Sequence, residues 1–137
     1  MEFFLSSSSV SHAGNFAADT LAILSVAEDV SPTVGAPPYA DLTYVVEANK
    51  AIAEEHRKLL QKYGQWCKTH NIDATLLLGH GYPRSVIVDE ATKRNADIVV
   101  IGRRGMGALK RAFMGSHSRY VLEHCPCTVV VVNEQEE

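Results

Sequence analysis

Four short apolar runs, separated by stretches with helical periodicity, constrain the fold of this chain most strongly. Thr20 to Val26 (TLAILSV) and Ala74 to Leu78 (ATLLL) are mostly apolar, while Asp97 to Ile101 (DIVVI) and Thr128 to Val132 (TVVVV) are β-branched. Apolar strands that do not alternate with polar residues suit a parallel sheet covered on both faces. Between the runs, Val45, Ile52, Leu59, Tyr63 and Trp66 recur at helical steps from Asp41 to about His70, which predicts one long helix with an apolar stripe. Pro83 to about Asn95 reads as a second helix, with Pro in its first turn and Val86, Ile87 and Ala91 facing inward. Ser116 to His124 reads as a third, with Ser116 as N-cap.

Strands alternating with helices imply right-handed βαβ crossovers and a doubly wound α/β sandwich of three layers. The 137 residues make one domain, 1–137. No apolar run reaches the ~18 residues of a membrane helix, and the N-terminus lacks the basic and apolar regions of a secretory signal. Three cysteines (Cys67, Cys125, Cys127) are too few for a disulfide framework and point to reduced thiols in a cytoplasmic protein. Ser31 to Ala40, with three prolines and a glycine, reads as a loop.

The net charge of -3 argues against general nucleic-acid binding. It hides an asymmetry, because seven of the thirteen Lys and Arg residues lie between Lys93 and Arg119, with Asp97 the one acid among them. A local positive field of this kind attracts anions such as phosphate. A solvated basic face is the plainer alternative.

The same stretch holds Ile101-Gly102-Arg103-Arg104-Gly105-Met106-Gly107 and then Gly115-Ser116. Gly102 ends an apolar strand, where α/β sheets bind ligands. The glycines let backbone N–H groups approach an oxyanion, and the helix opening at Ser116 supplies free N–H donors and partial positive charge. Each glycine alone is explained by a turn, and Ser116 alone by a cap. In the order strand, Gly-x2-Gly, nine residues, Gly-Ser and helix, they favour a phosphate cradle. The pattern is neither a Walker loop nor the G-x-G-x-x-G of dinucleotide binders.

At Gly102, Gly105, Gly115 and Ser116 the chain resembles the ATP-binding type of the universal stress protein family, which carries Gly-x2-Gly-x9-Gly-[Ser/Thr]. Gly81-x-Pro83-x3-Ile87-x3-Ala91, Asp97 to Gly102 and the Cys125-Pro126-Cys127-Thr128 lead-in to the last strand are similar too. The resemblance spans roughly Leu21 to Asn133. It implies an adenine nucleotide alpha hydrolase-like sandwich with a five-stranded parallel sheet, a nucleotide over the sheet's carboxyl edge, and a homodimer joined through the C-terminal strand. The implied ligand is ATP, or AMP or ADP, with Mg2+ as a companion ion. The implied contacts are Val26 and Ala27 beside the adenine, then Ile101, Gly102, Arg103, Gly105, Gly115, Ser116, His117 and Ser118 around phosphates and ribose.

The first nineteen residues depart from that pattern. The family opens with a central strand ending in Asp, then a long helix. Here Phe3-Phe4-Leu5 is a short candidate strand followed by serines, and about fourteen residues (Ser6 to Asp19) are too few for a full crossover helix. The first strand–helix unit is therefore shortened or missing, and the Asp has no counterpart.

Other groups read as structural. His124-Cys125-Pro126-Cys127 lacks the paired ligands of structural zinc, and His80 is paired with no nucleophile. Glu54-Glu55-His56-Arg57-Lys58 fits a solvated helix face, and Tyr63 and Trp66 fit the core. Asp89 and Glu90 face solvent on this reading. No nucleophile–base pair is recognisable, so the expected function is a non-enzymatic ATP-binding stress or signalling module, with slow hydrolysis left open. The alternatives are a dimeric interaction protein without nucleotide binding and an adenylyl-transferring enzyme, for which Gly79-His80-Gly81 lies on the wrong strand.

Overall fold

The structure is a computed structural model and describes residues 2–7, 20–31, 42–103 and 115–133. The elements follow one another as β1 (Glu2–Ser7), β2 (Thr20–Ala27), α1 (Leu42–Thr69), β3 (Ala74–His80), α2 (Pro83–Lys93), β4 (Ile98–Arg103), α3 (Ser116–His124) and β5 (Thr128–Asn133). The strands form one sheet in the order β3-β2-β1-β4-β5. β2 pairs in parallel with β3, and β4 in parallel with β5.

β1 corrects the expectation of a parallel sheet. It runs antiparallel to both neighbours, with Ser7 opposite Thr20 and Ser6 opposite Ile98, so the sheet is mixed. A parallel neighbour needs a crossover of a dozen or more residues, usually a helix, whereas an antiparallel one closes directly. The twelve residues between Ser7 and Thr20 stand at the lower limit for such a crossover, and the antiparallel pairing needs none.

Each side of the sheet has its own apolar cluster. Ala22, Leu24 and Val26 of β2 join Val99 and Ile101 of β4 beneath Ile87 and Ala91 of α2 and Val121 of α3. On the other side, Ile23 meets Leu60 and Cys67 of α1, with Leu21, Tyr63, Ala74 and Leu78 around them. Two glycines make this packing possible. A Cβ on Gly79 would lie 2.6 Å from Val86 Cγ1, so α2 can sit this close only over glycine. Gly81 turns the chain into α2 with φ 108, where a side chain would be strained.

The buried line of α1 is Ala53, Leu60 and Cys67, set one position round from the stripe read in the sequence. Trp66 is 53% exposed and stacks on His70, centroids 4.0 Å apart, so its assignment to the core is corrected. Nor does His56 belong to the solvated face. It is half-buried and turned towards the sheet, while Glu54, Glu55, Arg57 and Lys58 are exposed. α2 begins with Pro83 at N1 as expected. Its Glu90 is half-buried rather than solvent-facing, and it binds Lys93 Nζ at 3.0 Å and Arg94 Nε at 3.2 Å.

Two stability measurements follow. Ile87→Ala, which empties a fully buried site under α2, should cost about 2–5 kcal/mol in urea unfolding. The Lys93 hydrogen bond, aided by Arg94 and opposed by partial burial, holds Glu90 below the ordinary carboxylate range. A depressed folded-state pKa stabilises above the unfolded-state value and loses that contribution as pH falls through the folded-state value. Glu90→Gln should therefore lower stability at neutral pH by roughly 0.3–0.5 kcal/mol. The gap from the parent should close on acidification below the usual glutamate range. A gap independent of pH would show that charge is not the cause.

Candidate nucleotide-binding edge

β2, β3, β4 and β5 all point the same way, so their carboxyl ends share one edge of the sheet. The reversed β1 brings its amino end there, with Glu2 opposite Ser25 and Phe3 opposite Ile101. The strand order turns outward in both directions from β1, and α/β sheets take ligands at such a switch point, outside the carboxyl ends.

The site residues read from the sequence fall into three groups along this edge. Val26 and Ala27 end β2 and are 3% and 0% exposed. The Ala27 carbonyl accepts from Gly81 N–H at 3.1 Å. Both residues are committed to the core as a whole, backbone included. Ile101 of β4 is fully buried and fixes the strand against the cluster beneath α2 and α3. Gly102 follows as an exposed residue, and Arg103 closes the strand opposite Asn133.

The third group is the start of α3. Gly115, with φ -62 and ψ 153, is the N-cap, and no side chain caps the helix. This corrects the reading of Ser116 as the cap: Ser116 is the first helical residue, and it is exposed. The first N–H groups of the helix therefore have no intrahelical partner, and the helix dipole adds partial positive charge at the same point. His117 is half-buried, and its Nδ1 is buried with no hydrogen-bond partner among the described residues. Ser118 is 4% exposed. Arg84, in the first turn of α2, places its guanidinium 5.0 Å from the centroid of the Tyr120 ring, so the start of α2 lies against the middle of α3. Gly105, Arg104, Lys110 and Arg111 fall outside the described residues.

Gly102 and Gly115 share an informative property. A Cβ built at either would meet nothing within 4 Å among the described residues, and neither has a positive φ. Neither packing nor backbone conformation requires glycine at these positions. Among the described residues the space a side chain would fill is open at both, and at Gly115 it adjoins N–H groups without an intrahelical partner, which suits the approach of an oxyanion.

Three polar pairings near this edge escaped the sequence reading. Ser25 Oγ and His56 Nδ1 share a hydrogen bond of 2.7 Å beneath α1, with Ser25 fully buried. Asp29 Oδ1 stands 3.5 Å from His80 Nδ1. Asn49 closes the link from β2 to α1, its Oδ1 accepting from Val30 N–H at 2.7 Å and its Nδ2 donating to Val30 O at 3.3 Å. The first had a signal, because His56 lies four residues after Ile52 and three before Leu59, on the inward helical spacing. No comparable pattern marks the other two. Among the described residues no group of three or more His, Cys, Asp or Glu side chains is placed to hold a metal ion.

The Universal stress protein family profile matches residues 6–133. Universal stress protein MJ0531 of Methanocaldococcus jannaschii is 31% identical over 125 residues, covering 91% of this chain and 71% of that protein. A universal stress protein of Thermus aquaticus is 33% identical over 96 residues, covering 70% of this chain and 69% of its own. Among solved structures, universal stress protein UspA from Lactobacillus plantarum superposes with a TM-score of 0.68 at 26% identity, over 82% of this chain and 77% of that one. An Arabidopsis thaliana family member with AMP bound superposes with a TM-score of 0.56 at 21% identity, over 85% of this chain and 65% of that one. With an α/β sheet flanked by helices, the matched residues and these relatives agree: the chain belongs to the universal stress protein family.

Proposed function

We propose that this protein is a stress-response or signalling module that binds an adenine nucleotide at the carboxyl edge of β2 and β4. The observation that carries the reading is the space open, among the described residues, at Gly102 on the carboxyl edge and at Gly115, where no described side chain caps α3. In this reading the N–H groups of Ser116, His117 and Ser118, with the Ser116 hydroxyl, hold phosphate oxygens. Arg103 continues this line from the end of β4, and the end of β2 at Val26 and Ala27 borders the base. The buried Nδ1 of His117 gains a polar partner from the ligand or from water held with it. AMP in the Arabidopsis relative supports the adenine, and the glycine spacing favours ATP, with Mg2+ shielding its triphosphate.

Binding rather than catalysis fits the chemistry. The Ser25–His56 hydrogen bond has the reach of a nucleophile–base pair, but Ser25 is fully buried beneath α1. It offers no nucleophile to a ligand at the edge. We place the protein in the cytoplasm. No helix among the described residues is long and apolar enough to cross a membrane.

A titration with ATP and Mg2+ followed by thermal unfolding tests the site. Ligand at a hundredfold excess over Kd stabilises the native state by about 2.7 kcal/mol, so Tm should rise saturably. Gly115→Asp separates binding from folding. Asp is a good N-cap and its Cβ meets open space, so stability without nucleotide should hold or rise slightly. Its carboxylate should repel phosphate and weaken binding at least tenfold. Equal responses from the two proteins would remove the start of α3 from the account.

A second reading, a dimeric interaction protein without nucleotide binding, is favoured by β5. This strand lies at the sheet edge, and Val130 and Val132 are 43% and 46% exposed. An apolar edge of this kind invites a second copy unless covered. Sedimentation should show a dimer that Val130→Lys with Val132→Lys converts to monomer. A dimer untouched by those changes would remove β5 as the contact. A flat response of Tm to ATP in the parent would favour this second reading over the first.

A further inference from the structure

At the end of α3 away from Gly115, the chain passes through Cys125-Pro126-Cys127 into β5. The sulfurs of Cys125 and Cys127 lie 3.5 Å apart. Both residues are half-buried, while Pro126 is exposed, and the backbone bends at Pro126 and Cys127. Either side of this joint is anchored. Cys125 N–H donates to Val121 O at 2.8 Å, closing the helix, and Thr128 N–H donates to Asp97 O at 3.1 Å, opening the strand. The anchors leave a three-residue joint that holds two thiols together at the surface. Nothing in the nucleotide reading uses either of them.

We infer that Cys125 and Cys127 form a dithiol–disulfide site that exchanges reversibly with low-molecular-weight disulfides of the glutathione class. A disulfide is about 2.05 Å long, so the sulfurs must close by roughly 1.5 Å from their contact. The irregular backbone at the joint can supply that movement without breaking a strand pairing.

The two thiols have separate parts in the exchange. Cys127 is pushed up to about 12, first by burial, then by its hydrogen bond to Cys125 and the charge of Cys125, with Asp97 adding to the effect. It stays protonated at neutral pH, which leaves Cys125 as the attacking group. The Cys125 thiolate attacks one sulfur of the small disulfide, forms a mixed disulfide and expels one thiolate. With Cys125 capped, its charge no longer opposes ionisation of Cys127. Cys127 then gives its proton to solvent, attacks Sγ of Cys125 and expels the second thiolate. Two protein thiols are oxidised to one disulfide, and one small disulfide is reduced to two thiols.

Cys67 supplies an internal standard, since it is a free cysteine buried under α1 with 3% exposure. The test is equilibration of the native protein in glutathione buffers stepped from reduced to oxidised, followed by acid quenching, thiol counting and peptide mapping. Two of the three thiols should disappear together, with a mass loss of two hydrogens and an internal link in the peptide carrying residues 125 and 127. Returning the protein to reduced glutathione should restore them. Cys127→Ser should stop at a stable single glutathione adduct on Cys125, and Cys125→Ser should abolish the reaction at the joint. Retention of all three thiols, prior loss of Cys67, a permanent glutathione adduct on the parent, or a link between chains would each overturn the inference.

Discussion

β2 with β3 and β4 with β5 are two parallel pairs, and neither pair borders the other in the sheet. β1 lies between them, six residues long, in register with six residues of β2 and four of β4. Its hydrogen bonds therefore join two half-sheets into one. Each such bond contributes only about 1 kcal/mol net, but an unpaired donor or acceptor between the halves would cost about 1–3 kcal/mol. The cluster beneath α2 and α3 depends on this bridge, because it takes Ala22, Leu24 and Val26 from one half and Val99 and Ile101 from the other. So does the proposed site, whose two sides are the ends of β2 and β4.

Reversal of β1 leaves that bridge intact and changes what the edge presents. A strand running with its neighbours would bring its carboxyl end and the following turn to the ligand side. Here the amino end arrives instead, with Glu2 level with Ser25. In the proposed reading the aspartate that the family resemblance implies has no counterpart in the sequence, and the groups assigned to phosphate lie on β4 and α3. The nucleotide reading is thus strongest at the phosphate end and weakest at the base, where Val26 and Ala27 have buried their side chains.

Much of this was legible in residues. The runs at Thr20, Ala74, Asp97 and Thr128 became β2 to β5, and Ser116 to His124 became α3 with the same bounds. Continuous apolar strands and Pro at a first helical turn are local signals that tertiary packing had no reason to overrule. The direction of β1 was not legible, because Phe3-Phe4-Leu5 pairs equally well either way and only the length of the following link distinguishes them. The inward line of α1 was missed because the largest apolar side chains suggested it. Small Ala53 and the polarisable thiol of Cys67 are what fit close against the sheet, while Trp66 lies at the margin. At the site, the glycine spacing could be read but the N-cap could not, since both Gly115 and Ser116 suit that position. Ser25 lies within a run read as mostly apolar, and its partner His56 was hidden in a charged run.

Among the described residues the two faces of the sheet are covered unequally. α2 and α3 share one face. On the other, the described contacts of α1 are with β2 and β3. In a parallel ladder paired residues share a face, so Val100 lies with Val130 and Gly102 with Val132, opposite to the side on which Val99 and Ile101 are buried. The result can be read in exposure: Val99 and Ile101 are fully buried, whereas Ile98 is 39% exposed and Val130 and Val132 more so. β-branched side chains thus face outward on the half of the sheet that also holds Gly102. The reversed β1 and this exposed face bear together on what the edge can bind and on what the outer strands can dock against.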